Sequence, residues 1–430
     1  MQTAENPHWP LWRKIIFRFF FIYLALEISP VNWFDGIPFV STVTQYYGKL
    51  TDWLTTEANA LFFHVRPVLV PENGSGDTSM GWARLWTYLA LAVLGAIIWS
   101  VFDRKRSNYT HLNYWLCLFT RYYVVLVAFT YGIIKLFGQQ MIFPNLHQLA
   151  TPLGDLLPMR FSWFFIGYSQ PYQFFSGLME FIAALLLLNR RTVSLGVLMA
   201  TGVFLNVMML NLCYDIPVKI FSMQMVFTCL FLLANESGRL IDFFILNKPA
   251  PVGAIYHFRY TKKWMRVTRV VLKCLIIIVA AVMPFYQSYS QSTSNTVAKQ
   301  PVKNGVYAVT RYRLNNQDIP FSPLDTLRWQ DLIFEDGLGS VKSNDTLFRQ
   351  RYNRGYFLYG LDTAKHMLGF KKKFDAKNYM IEFKYTTPDS NTITLAGLRG
   401  KDSLYVELKR TKRHFQLAER QFHWLSEQNR

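Results

Sequence analysis

The chain has 430 residues, of which 51% are hydrophobic and 17% aromatic, and its formal net charge is +19. This composition favours a membrane protein with attached polar parts over a soluble multidomain protein. The basic residues stand in short groups between apolar segments, so the charge indicates membrane topology, and nucleic-acid binding is excluded as its explanation.

Seven apolar runs approach the length of about 20 residues that a helix needs to cross a bilayer. The first run is short, but no small-residue cleavage site follows it, so we expect a retained helix and no signal peptide. The pattern predicts an α-helical polytopic membrane bundle of about seven transmembrane helices. The runs cover residues 12–28, 82–101, 114–137, 172–188, 193–213, 216–234 and 267–286.

The positions of Lys and Arg predict the orientation of the helices. Basic groups at 13–14, 104–106, 190–191 and 239–269 all fall on one side of the membrane if the N-terminus is cytoplasmic. The intervening loops 29–81 and 138–171 are long and poor in Lys and Arg, as expected outside the cytoplasm. This orientation also exports everything that follows the last run.

A glycine-rich stretch, GSGDT at 74–78, precedes the second apolar run on the predicted outer side. It lacks the Lys-Ser/Thr ending of a phosphate-binding loop. We expect Asp77 or Thr78 to cap the helix that starts there, while the glycines allow a tight turn. The alternative is that Asp77 contributes to a site on the outer surface.

The last third of the chain changes character. Residues 289–303 form a polar linker rich in Ser and Thr, and 304–430 show period-two alternation with short turns, which predicts an all-β antiparallel barrel or sandwich. A lipocalin-like barrel holds an apolar ligand, but small barrels are often filled by their own side chains, and we favour the filled form. The tail 414–424 is expected to pack across this domain.

Polar side chains inside the apolar runs are the main candidates for chemistry, because ionisable groups in a bilayer are costly. If alternate helices run in opposite directions, these groups share the outer half of the membrane. Lys135 and Glu180 form the expected central contact, with Asp215 and Lys219 at the rim. The candidate set is Tyr131, Lys135, Gln139, Glu180, Asn206, Asn211, Asp215 and Lys219.

Two interpretations of this set stay open. One is interhelical hydrogen bonding, which stabilises membrane bundles by about 0.6–2 kcal/mol per contact, with Lys135 extending to the lipid headgroups. The other is a shared pocket open to the outer side, suited to a quinone head, a lipid head or a proton relay. We propose no metal site, since no HExxH or paired histidines occur, and no CxxC pair is present. Catalytic residues stay unknown.

Three stretches within residues 114–234 carry a resemblance to a known family: YGIIKLFGQQM, FSGLMEFIAALLLLNRRTVSLG and NVMMLNLCYDIPVKIFS. With them, this region resembles the DoxX-like family of small bacterial membrane proteins, a four-helix bundle. The stretches contain the Gly132 and Lys135 pair that ends one helix, and Glu180 followed by the basic turn Arg190-Arg191. A weaker resemblance is to the vitamin K-dependent carboxylase-like membrane domain, in which a membrane Lys acts as a base.

The resemblance implies a bacterial inner-membrane protein in contact with lipid, with a periplasmic β-domain, and it suggests a quinone-linked or redox-accessory subunit. Some DoxX-like proteins are subunits of thiosulfate:quinone oxidoreductases, although this chain lacks the paired cysteines of the thiol-redox branch. The β-domain would then dock a periplasmic protein partner. The alternative is a non-enzymatic envelope anchor that presents a binding or assembly domain.

The predicted division of the chain has five parts. They are N-terminal membrane helices with a long outer loop (1–113), the DoxX-like bundle (114–234), a cytoplasmic basic loop with the last transmembrane helix (235–288), the linker (289–303) and the β-domain (304–430).

Overall fold

The computed structural model describes residues 8–29, 38–249, 261–293, 302–322, 325, 327–372, 378–420 and 423–425. The chain forms two compact units. Unit 1 comprises Met1–Met141 and Ser169–Thr293, and unit 2 comprises Ile142–Tyr168 and Ser294–Arg430. Residues 142–168, which the sequence analysis assigned to the membrane bundle, belong to the unit that contains the β-strands. Most of the predicted linker lies outside the described residues.

Unit 1 is helical, and the described part of unit 2 also contains short α-helices. The helices are α1 (Leu11–Ile28), α2 (Pro38–Ala58), α3 (Ser79–Phe102), α4 (Thr110–Leu136), α5 (Leu146–Leu149), α6 (Pro158–Tyr168), α7 (Gln170–Leu188), α8 (Val193–Cys213), α9 (Lys219–Phe244), α10 (Lys263–Ile277), α11 (Met283–Thr293) and α12 (Gln416–Glu419). A π-helical turn, Ile278–Val282, joins α10 and α11 into one continuous rod.

Six helical segments in the described part of the chain are long and apolar enough to cross a membrane, so the protein is a multi-pass membrane protein. They are α3, α4, α7, α8, α9 and the α10–α11 rod. The first of the seven predicted runs does form a helix, α1. It carries Arg13, Lys14, Arg18 and Glu27 within 18 residues, which sets it apart from the six apolar helices.

One buried cation fixes α1 to the turn between α3 and α4. The Arg18 side chain is 1% exposed and donates hydrogen bonds to the hydroxyls of Tyr109 and Ser100 and to the Asp103 carbonyl, at 2.7–2.9 Å. The Tyr109 hydroxyl donates in turn to the Asp103 carboxylate at 2.8 Å. Because each guanidinium nitrogen has a partner, the burial of this charge is compensated.

Helix α2 lies in the loop 29–81, where the sequence analysis predicted no helix. Its low mean hydropathy hides it from a search for apolar runs, since Thr, Gln and Tyr alternate with its apolar residues. Arg84 of α3 pairs with Asp52 of α2 at 3.1 Å and with Glu72 of the loop between the two helices at 2.7 Å.

Unit 2 contains a closed antiparallel barrel, which confirms the predicted all-β domain. The sheet order is β10-β9-β8-β7-β6-β4-β3-β1-β2, and β1 also pairs with β10 and so closes the barrel. Strand β5 pairs with β6 outside this path. The strands are β1 (Gly305–Leu314), β2 (Gln317–Asp318), β3 (Asp331–Glu335), β4 (Leu338–Val341), β5 (Arg349–Arg351), β6 (Arg354–Asp362), β7 (Met367–Lys371), β8 (Ile381–Thr386), β9 (Thr392–Arg399) and β10 (Asp402–Arg410).

Aromatic side chains fill the interior of the barrel. Trp329, Phe334, Phe370 and Phe383 are 0% exposed, and Phe357 is 1% exposed. The rings of Phe357 and Phe370 stack with their centroids 3.9 Å apart, and Trp329 stacks on Phe370 at 6.3 Å. These contacts agree with the filled form that the sequence favoured over a lipocalin-like cavity.

Candidate functional site

Two glycines bring α4 and α7 into close contact at the centre of unit 1. A Cβ atom on Gly177 would lie 2.6 Å from the carbonyl oxygen of Gly132 and 2.7 Å from the Cβ of Lys135. A Cβ atom on Gly132 would lie 3.0 Å from the Gly177 carbonyl oxygen and 3.3 Å from the Cβ of Glu180. Each glycine therefore faces the ionisable residue of the other helix. This reciprocal contact places Lys135 opposite Glu180, as predicted.

Lys135 and Glu180 form a direct, buried ion pair. The ammonium of Lys135 donates to Oε1 of Glu180, and the two residues are 5% and 1% exposed. The second carboxylate oxygen, Oε2, is buried and has no hydrogen-bond partner among the described residues. A buried ion pair of this kind is costly to form, and an unused acceptor adds to that cost.

Amide side chains hold the backbone close to this pair. Gln173 lies one turn before Gly177 on α7 and is fully buried. Its Nε2 donates a hydrogen bond to the Met141 carbonyl at 2.5 Å, and its Oε1 accepts one from the Met141 N–H at 3.3 Å. Gln139 donates to the Ser288 carbonyl at 2.8 Å. Gln139, Met141 and α7 are thus held in place, which fixes the backbone at the end of α4.

The predicted rim residues form a second group of contacts around the start of α9. Lys219 pairs with Asp215 at 2.7 Å and with Asp77 at 3.5 Å. The Asp77 carboxylate also accepts hydrogen bonds from the backbone N–H groups of Lys219 (2.9 Å) and Ile220 (3.0 Å). Asp77 is thus a cap for α9, where Val218 supplies no side-chain cap.

Of the two residues expected to cap α3, the structure shows Thr78 in that role and not Asp77. The Thr78 hydroxyl accepts from the Gly81 N–H at 3.2 Å. The GSGDT stretch therefore starts one helix with Thr78 and a second helix with Asp77. For Asp77 the sequence analysis considered a cap of the adjacent helix or a site on the outer surface, because nothing in a local pattern indicates a partner in a distant segment.

Three candidates remain, one on α4 and two on α8. Asn206 is exposed on α8, and Asn211 is buried and donates to the Val218 carbonyl at 3.4 Å. Tyr131 places its ring against Phe221, with the centroids 5.9 Å apart. The eight candidates thus divide into the Lys135–Glu180 pair, Gln139 at the end of α4, the rim residues Asp215 and Lys219, and the three side chains of Tyr131, Asn206 and Asn211.

A second buried cluster, which the sequence analysis did not predict, lies in unit 2. His147 of α5 and Ser340 of β4 are both 0% exposed, and Nδ1 of His147 lies 2.8 Å from the Ser340 hydroxyl. Arg354 donates through Nε to the same hydroxyl at 2.9 Å and forms an ion pair with Asp331. The backbone N–H of Leu146 donates to Glu335 at 2.7 Å. These bonds join the segment 142–168 to the barrel.

The protonation state of His147 follows from this network. Burial, reinforced by the nearby Arg354 charge, lowers the pKa of His147 to about 4. The Ser340 hydroxyl accepts from Arg354, and it donates its own proton to Nδ1 of His147 in the neutral tautomer that carries the ring proton on Nε2. A serine, a histidine and the Glu335 carboxylate at 3.9 Å from Nε2 have the composition of a hydrolase triad. Since neither Ser340 nor His147 reaches the surface, this cluster is structural.

Comparisons with known proteins give one relative. No family model matches the chain, and no solved structure matches it. The chain is 31% identical over 128 residues to a protein of Bacillus subtilis (strain 168) described as "Uncharacterized protein YwoB". The match covers 29% of this chain and 79% of the relative. The chain therefore belongs to the same protein family as YwoB.

Proposed function

We propose that the helical unit binds the polar head of a small membrane-soluble molecule at Lys135 and Glu180, and that the first candidate is a quinone. The observation that carries this proposal is the buried pair with an unpartnered Glu180 oxygen. An ionisable side chain inside the bilayer is a functional candidate, because two apolar side chains of similar volume would cost less free energy to bury there.

The chemistry of the pair suits such a ligand. The Glu180 oxygen that lacks a partner can accept a hydrogen bond from a quinol hydroxyl, and the Lys135 ammonium can donate one to a quinone carbonyl. The close contact of Gly132 with Gly177 holds the two charges in a fixed position. In this proposal the protein is a DoxX-like subunit that is quinone-linked or accessory to a redox enzyme.

The same proposal includes the bacterial inner membrane and an orientation. The basic groups at 13–14, 104–106, 190–191 and 239–269 favour a cytoplasmic N-terminus and a periplasmic barrel, which would dock a periplasmic protein. Attaching a membrane-impermeant thiol reagent to single cysteines placed in the loop 29–81 and in the barrel tests this orientation.

The experiment is mass spectrometry of the lipid extract from protein purified in mild detergent from its native membrane. We expect near-stoichiometric quinone in the wild type and its loss in Glu180→Gln. Glu236→Gln is the matched control, because Glu236 is an acid of the same unit that pairs with Arg239 and Ser194 at the end of α9. Quinone that stays bound in Glu180→Gln, or bulk lipids in bulk proportions in the wild type, would contradict the proposal.

A second candidate is a non-enzymatic envelope anchor that presents the barrel. The filled barrel interior favours it, because the barrel then offers its outer surface and not a cavity. This candidate would be supported if cells that carry the double variant, with both Lys135→Met and Glu180→Gln, behave as cells with the wild-type protein do. A chimera that tests it on a foreign anchor must carry residues 142–168 together with the barrel, since both belong to unit 2.

A further inference from the structure

A groove in unit 2 combines an apolar floor with two arginines. Its volume is about 250 Å³, which is slightly below the usual range of about 300–1,000 Å³ for small-molecule pockets. Three chain segments form it: α5, the start of β1 and the segment after β10. Leu146, Leu149 and Val306 supply apolar surface, while Arg410 and Arg413 supply positive charge.

Both guanidinium groups are held in place by neighbouring groups. Arg410 donates through Nη2 to the Asn304 carbonyl at 2.7 Å. A Cβ atom on Gly305 would lie 2.7 Å from Nε of Arg410, so the glycine leaves the space that the guanidinium occupies. The Arg413 guanidinium stacks over the Phe415 ring at 4.9 Å. A guanidinium has five N–H donors, which leaves several available to an anion.

The acidic group of the groove is already engaged. The Glu419 carboxylate accepts a hydrogen bond from the Phe415 N–H at 3.0 Å and pairs with His414 at 3.0 Å. Residues 410–414, from the last residue of β10 onward, read RTKRH, so Arg410, Lys412 and Arg413 precede this single acid. The charge in the groove is therefore positive at the two arginines.

We propose that this groove binds a small anionic amphiphile, namely a carboxylate or phosphate group carried on a short apolar chain. The arginines would bind the anionic group through charge-assisted hydrogen bonds, for which the planar guanidinium is well suited. The surface of Leu146, Leu149 and Val306 would bind the apolar chain. This site is independent of the proposed quinone site, since all of its residues belong to unit 2.

The test is ligand-observed NMR with the full-length protein in lipid nanodiscs, with the signal from empty nanodiscs subtracted. Hexanoate and hexyl phosphate distinguish a carboxylate from a phosphate ligand. Hexanol carries the same chain without charge, and acetate carries the charge without the chain. We expect saturable binding of at least one hexyl anion and much weaker binding of hexanol and acetate.

Three variants locate the site. We expect Arg410→Gln and Arg413→Gln each to weaken binding of the hexyl anion by about tenfold or more, because each removes a charge-assisted hydrogen bond. Gly305→Ala should weaken it as well, since it displaces the Arg410 guanidinium without changing the net charge. Arg349→Gln, on the exposed strand β5, is the matched control and should bind as the wild type does.

Several results would overturn the proposal. They are the absence of saturable binding to the wild type, equal binding of hexanol and the hexyl anions, and unchanged binding in Arg410→Gln and Gly305→Ala. Circular dichroism of each variant, compared with the wild type, separates a local loss of binding from unfolding of the barrel.

Discussion

Asp77 and Lys219 are 142 positions apart in the chain, yet the Asp77 carboxylate accepts a hydrogen bond of 2.9 Å from the backbone N–H of Lys219. It also pairs with the Lys219 ammonium at 3.5 Å. One carboxylate thus satisfies the first N–H groups of α9 and partly neutralises the side chain that begins the helix. Because Asp77 precedes α3, this contact joins the starts of two membrane helices.

Replacing Asp77 is expected to destabilise unit 1. Asp77→Ala removes a helix cap, so we expect a loss of about 0.5–2 kcal/mol, seen as a lower thermal midpoint in detergent. Asp77→Asn retains an acceptor and should lose less. The control is Asp215→Asn, which changes the other, exposed carboxylate bound to Lys219 and leaves the cap intact. An Asp77→Ala protein no less stable than the Asp215→Asn protein would refute the capping role.

The contact between Gly132 and Gly177 predicts a steric effect. Gly177→Ala places a methyl group 2.6 Å from the Gly132 carbonyl oxygen, so α4 and α7 must separate and the ion pair must lengthen. We expect a cost of about 1–3 kcal/mol in thermal unfolding experiments. Gly202→Ala on α8 is the matched control, because nothing lies within 4 Å of its added Cβ. Equal behaviour of the two variants would show that α4 and α7 do not meet at Gly177.

The Lys135–Glu180 pair predicts strong non-additivity. Glu180→Gln or Lys135→Met alone leaves one buried charge without its partner, which typically costs about 3–5 kcal/mol. The double variant removes both charges and should recover most of that loss. The measurement is a double-mutant cycle on the unfolding midpoint, with cell membranes checked for equal protein levels. Additive effects would mean that the two charges do not interact in the folded protein.

His147 predicts a pH dependence of the stability of unit 2. Its pKa is about 4 in the folded protein and about 6.5 in an unfolded chain, so between these values the unfolded state binds more protons. Stability should therefore fall as the pH decreases from about 6.5 to 4, by up to about 3 kcal/mol. Hydrogen exchange of residues 142–168 and of the barrel strands measures this loss.

A second titrating group in the cluster acts with the opposite sign. Burial raises the pKa of Glu335, so its folded form holds a proton more tightly than the unfolded chain does. The difference between the wild type and His147→Gln isolates the histidine contribution. His414→Gln is the control, because His414 is exposed. A slope between pH 4 and 6.5 that persists in His147→Gln would assign the effect to other groups.

Local patterns in the sequence predict much of this fold, and distant contacts explain what they miss. The length of an apolar run is a local property of the sequence, so the six membrane-spanning helices were predictable. The alternation of apolar and polar residues made the strands predictable in the same way. Lys135 and Glu180 were paired correctly by their depth in antiparallel helices. Helix α2 was missed because its polar residues interrupt every long apolar run, although its apolar residues follow the helical period.

The role of His147 could not be predicted, because its partner Ser340 is 193 positions away and neither residue stands in a recognisable motif. The same holds for Asp77 and α9. Arg18 gave one indirect signal, since a cation within an apolar helix requires a partner. Tyr109 and Ser100, which meet that requirement, belong to segments whose contact with α1 depends on the folded bundle.

The division of unit 2 between two stretches of chain has a consequence for biogenesis. Residues 142–168 are translated long before Arg410, the last residue of β10, and at about 5–20 residues per second the interval is on the order of tens of seconds. During that interval His147 and Ala150 have no barrel to bury them. The ribosome therefore completes four further membrane segments, α7 to the α10–α11 rod, before it makes the barrel strands. Folding of unit 2 must then bring together a segment that is made early and strands that are made late.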